Sequence, residues 1–166
     1  MEGVVQRSFF EARPERVAML RAAFAAWERT PFFAGACVRG LQGGVDCVHL
    51  VRALLVECGV RLPEIEQAYR IDHASHSGRS DLVEWVETHA REAVRKVEVV
   101  EIGELRPGDV LGIRVGLCVH HAAIVLDERR CGHVLQGYAV TASPLGMIRK
   151  FGSLDHVWRP LEDDVV

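Results

Sequence analysis

Apolar residues along this chain follow a helical period up to about His89 and short strand-like runs from Val97 onward. In the first part, Pro14 can open a helix whose Val17, Leu20, Phe24 and Trp27 share a face and which ends before Thr30-Pro31. After a glycine-containing loop from Phe33 to Gly44, Leu50, Val51, Leu54, Leu55 and Cys58 recur at helical spacing. Asp46 is placed to cap that helix and Gly59 to stop it. Leu62 to Gly78 is polar, carries His73 and His76, and reads as an exposed connector. Ser80 or Asp81 can cap a third helix with Leu82, Trp85, Val86 and His89 on one side, a stripe that reads as core. Helices first and antiparallel strands second predict an α+β domain. No internal repeat or linker interrupts residues 1–166, so one domain is expected.

Cys47 stands where the glycine-rich loop becomes the helix, and this makes it the first candidate for chemistry. The first N–H groups of a helix have no intrahelical partner and carry the positive end of its dipole, which favours thiolate over thiol. On the same side as Leu50, Val51 and Leu54, the thiol points at a packed neighbour, and its base must come from another element. The strand-like run Gly116 to Leu126 offers His120 and His121, and strand alternation lets only one of them face the thiol. Small residues follow in Ala122-Ala123, leaving room for a helix to approach beside His121. A hairpin turn centred near Glu128-Arg129 sets Gln136 opposite His121, where an amide could hold the imidazole in a productive tautomer.

Composition narrows the classes. A chain of 166 residues that is 49% hydrophobic can build its own core, and a net charge of −3 without a basic cluster argues against nucleic acid as a partner. Met1 to Arg7 lacks a basic stretch followed by an apolar one, and no run approaches membrane-spanning length. The sequence therefore reads as cytoplasmic, with no signal peptide and no membrane partner. Five cysteines (Cys37, Cys47, Cys58, Cys118 and Cys131) then read as reduced thiols. Cys118-x-His120 and Cys131-x-His133 have liganding residues in duplicate, but the hairpin places Cys131 near the turn and Cys118 far down the partner strand. No metal and no cofactor are expected. His133 and His156 read as structural residues.

Thr30-Pro31-Phe32, Asp46-Cys47, Leu50-Val51-Arg52, Pro107-Gly108-Asp109-Val110, His121 before small and aliphatic residues, and Ser143-Pro144-Leu145 follow one another in order. That order resembles the NlpC-type cell-wall cysteine peptidases, compact relatives of papain, and among them the phage-tail and prophage branch. The resemblance runs from about Val17 to Arg159. It implies Cys47 as nucleophile, His121 as general base and Gln136 as orienting residue, with Asp46, Phe32, Val48 and His49 beside the substrate. Relatives usually have tyrosine after Thr-Pro and serine after Asp-Cys, two hydroxyls that help recognise the free amino end of a peptidoglycan stem peptide. Phe32 and Val48 stand there instead, and His49 replaces a usual glycine. The expected activity is amide hydrolysis of peptidoglycan-derived peptides through a Cys47 thioester, with phage-tail proteins as further partners. The alternatives are a structural or binding module of a phage-like tail and an acyltransferase of the same fold.

Overall fold

A computed structural model of the protein describes residues 6–66, 78–99 and 101–163; His73 and His76 lie outside them. The helices come first. A short α1 (Phe9–Ala12) leads into α2 (Glu15–Trp27), which buries Leu20, Phe24 and Trp27. Two short strands, β1 (Cys37–Val38) and β2 (Gly44–Val45), pair antiparallel and deliver the chain to α3 (Cys47–Glu57). Gly59, at a φ of +103°, turns the chain away after α3, a conformation in which a Cβ would be strained.

The helix expected after the connector, α4 (Asp81–Trp85), is capped by Ser80, whose hydroxyl accepts from Val83 N–H. It continues as a π turn over Val86–Ala90. The wider winding changes which residues share a side. Val86 and Ala90 are buried, and His89 is exposed instead of lying on the apolar side expected from an unbroken α-helical period.

The second half is a sheet of β3 (Val94–Lys96), β4 (Val110–Val115), β5 (Cys118–Val125), β6 (Arg130–His133), β7 (Thr141–Pro144) and β8 (Ser153–Pro160), in the antiparallel order β3-β8-β4-β5-β6-β7. A short α5 (Ile148–Phe151) precedes β8. Alternation along the strands separates two cores. Val110, Ala122, Ile124 and Trp158 join the helices, whereas Leu111, Ile113, Ala123, Val125, Cys131 and Val157 pack with Leu145 and Ile148. The N-terminal helices close one face, and α3 lies against β5.

Pro107-Gly108-Asp109 leads into β4 and packs against α1. Gly108 has a φ of +88°, and a Cβ there would sit 2.0 Å from the Phe10 ring, so the turn needs glycine on both counts. Asp109 is fully buried; it accepts from Arg106 N–H and, through both oxygens at 2.8 Å, from the Arg159 guanidinium on β8. Among the described residues, no helix is long and apolar enough to cross a membrane.

Candidate active site

Cys47 is the first residue of α3 and is buried. Asp46 precedes it as the N-cap: one oxygen accepts from His49 N–H at 2.9 Å and the other from Gly35 N–H at 2.8 Å. The His49 ring turns back onto the same carboxylate, with Nδ1 2.9 Å from each oxygen. Asp46 is fully buried. Two of the four residues expected beside the substrate, Asp46 and His49, are therefore engaged with each other, and the carboxylate holds the start of α3. Val48 and Phe32 are half-buried and pack on the main core. Phe32 is tied down by a bridge to Val45 and by its N–H donating to Tyr138 C=O.

The imidazole side of the site sits on the β5–β6 hairpin. Asp127 accepts from Arg129 N–H and Arg130 N–H, and Leu126 N–H reaches Arg130 C=O, making a loop centred on Glu128. The resulting register pairs Ile124 with Gly132 and Val125 with Cys131. This is one residue away from the register that sets Gln136 opposite His121, and such a slip exchanges the faces of a strand. His133 consequently lies on the side of His121. Gln136 falls in the turn beyond β6, exposed to solvent. The assignment of Gln136 as orienting residue is corrected accordingly: His121 Nε2 lies 3.0 Å from His133 Nδ1, and His133 Nε2 lies 2.8 Å from Ser143 Oγ on β7. His133, read from the sequence as a structural residue near the turn, is buried at the centre of this chain of contacts.

A bulge also modifies the contrast between the two adjacent histidines. Ile113 pairs with His121 and Arg114 with Val119, leaving His120 as the extra residue of β5. Strict alternation does not hold across a bulge. Burial and the bond to His133 single out His121 instead; His120 is half-buried. The Phe151 ring covers the pair, with its centroid 4.9 Å from the His133 ring and 6.3 Å from the His121 ring. Burial, reinforced by the neighbouring His133 and His120, pushes the His121 imidazole down to about 3, and burial lowers His133 as well. Both rings are neutral at neutral pH, and a neutral ring can accept a proton. Burial pushes the thiols of Cys58 and Cys131 up to about 11.

The family model described as "NlpC/P60 family" matches residues 29–149, a span that holds Cys47, His121, His133 and Ser143. The chain belongs to the NlpC/P60 family. That family is typically hydrolytic, in keeping with a cysteine at a helix start and a buried histidine pair. Among solved structures, the chain is similar to a lipoprotein-like NLP/P60 family protein from Staphylococcus aureus, with 17% identity and a TM-score of 0.60 over 97% of this chain and 45% of that one. That likeness supports the papain-like α+β fold, and the chain spans less than half the length of the matched protein. No curated protein matches the chain. The matches concern the NlpC/P60 family and fold and do not extend to its phage-tail branch.

Proposed function

We propose that the protein is a cysteine peptidase or amidase acting on peptidoglycan stem peptides, with Cys47 as nucleophile, His121 as general base and His133 as the residue that orients it. The observation that carries this reading is the 3.0 Å contact between His121 Nε2 and His133 Nδ1. It occupies one nitrogen of His121 with a partner and leaves Nδ1 as the nitrogen for proton transfer, and α3, which begins at Cys47, packs against β5, the strand that bears His121.

In this mechanism the Cys47 thiol gives its proton to His121 Nδ1 as Sγ attacks the substrate amide carbon. The negative charge that develops on the carbonyl oxygen faces the N-terminus of α3, where the Cys47 N–H donates. Collapse of the intermediate breaks the C–N bond, and the imidazolium returns the proton to the leaving amine. Water then attacks the thioester with His121 again as base, releasing the acid and restoring the thiol. Both oxygens of Asp46 are held by groups of the protein, which fixes this carboxylate at the start of α3.

Incubating the purified protein with muropeptides and resolving products by mass spectrometry tests the reading. Wild type is expected to yield a product pair differing from substrate by one water, and Cys47→Ala to yield none while remaining folded. Cleavage that persists in Cys47→Ala would overturn the mechanism. A wild type inert toward every muropeptide would overturn the substrate class.

A further inference from the structure

Ser143 belongs to the Ser143-Pro144-Leu145 segment, whose order in the chain marked it without a role. Its hydroxyl is 2.8 Å from His133 Nε2, at the end of a chain that runs from His121 through His133. Two neutral imidazoles joined nitrogen to nitrogen share one proton, so two arrangements are available. In the first, His121 donates from Nε2, His133 accepts at Nδ1, and His133 carries its proton on Nε2. In the second, His133 donates from Nδ1 and His121 carries its proton on Nδ1, where it cannot act as base.

The imidazolium decides between them. A His121 protonated on both nitrogens must donate from Nε2, which is compatible only with a bare His133 Nδ1 and hence with a proton on His133 Nε2. That proton needs an acceptor, because a buried N–H left without one is costly. His133 is 1% exposed, and Phe151 lies over the pair, so the acceptor has to come from the protein. The acceptor present is Ser143 Oγ.

We propose that Ser143 is a positioning residue that holds His133 in its Nε2–H tautomer and thereby lets His121 take up a proton on Nδ1. This rests on the reading of His121 as the base. No proton passes along the hydrogen bonds to Ser143: the hydroxyl only accepts a hydrogen bond, and the proton taken from Cys47 is carried on His121 Nδ1 until it goes to the leaving amine.

Ser143→Thr and Ser143→Val separate the hydroxyl from the packing, since their side chains have the same shape and only the threonine carries an oxygen. Two measurements on the whole chain apply: the pH profile of Cys47 alkylation by iodoacetamide, followed by peptide mapping, and the ¹⁵N shifts of the histidine ring nitrogens. Wild type and Ser143→Thr are expected to show His133 protonated on Nε2 and to coincide in their alkylation profiles. Ser143→Val, folded by near-ultraviolet dichroism, is expected to react roughly threefold to tenfold more slowly at pH 6, the worth of one neutral hydrogen bond, and to need higher pH for half-maximal rate. The proposal falls if Ser143→Val keeps the wild-type profile, or if wild-type His133 carries its proton on Nδ1. A failure of the enzyme reading shows elsewhere, as an unreactive Cys47 in the wild type, and the ring-nitrogen shifts still decide the tautomer.

Discussion

At the scale of single residues, the site depends on which side chain meets His121. The bond from His121 Nε2 goes to buried His133, while Gln136 is exposed beyond the end of β6. With His121 as the proposed base, His133→Ala is expected to lower turnover by about 10- to 100-fold by leaving that base unoriented, and Gln136→Ala to stay within about twofold of wild type. Single-turnover rates on one muropeptide check this, and the reverse ranking would restore the amide as orienting group. Burial of His121 also makes stability depend on pH. Its pKa is pushed down to about 3, so between about 6.5 and 3 the unfolded chain binds a proton that the folded one refuses. Stability is thus full above about 6.5 and lost as pH falls toward 3, by a total on the order of 3–5 kcal/mol. The thermal midpoint should drop steadily from pH 7 to pH 4, and less steeply in His121→Gln; parallel slopes in the two proteins would contradict the buried neutral ring. The places of Cys47 at a helix start and of His121 on a strand were legible in the sequence because both are local patterns. The place of His133 beside His121 was not foreseen, although Asp127, bonding the N–H groups two and three residues ahead, was a local signal for a turn centred on Glu128.

At the scale of elements, the position of His133 depends on how closely β6 meets α2. Gly132 precedes His133, and a Cβ built on it would lie 2.5 Å from the buried Phe24 ring of α2. Gly132→Ala must move either the ring or the strand, at a cost of about 1–3 kcal/mol. Denaturant unfolding should show a lower midpoint with an unchanged slope, and an unaltered midpoint would mean that the two elements are not in such contact. Helices α2 and α3 followed from the spacing of their apolar residues, and the Asp46 and Ser80 caps from residue type, since a helix end is decided within one turn. The π turn at Val86–Ala90 was not foreseen, because one extra residue in a turn leaves no composition signal yet changes which side His89 faces.

At the scale of the whole molecule, Asp109 and Arg159 tie the start of β4 to β8 across 50 residues of chain. The carboxylate is fully buried, and its bidentate bond raises the Arg159 pKa further. Asp109→Ala leaves that guanidinium and the Arg106 N–H without their acceptor, and is expected to cost about 3 kcal/mol. Equilibrium unfolding measures it; a loss below about 1 kcal/mol would show that solvent replaces the carboxylate. The sequence alone determined the α+β order, the helix that presents Cys47, the strand that presents His121 and the resemblance that family membership then supported. These rest on periodicity, caps and turn residues, whose energetics act within a few positions. Tertiary structure alone decided the β5–β6 register, the bulge at His120, the closing of His49 onto Asp46, and the alignment of His121, His133 and Ser143. Each of these turns on a one-residue shift or a contact between distant elements, and the pairing of strands, which a single hydrogen-bonded turn can displace, sets which side chains meet.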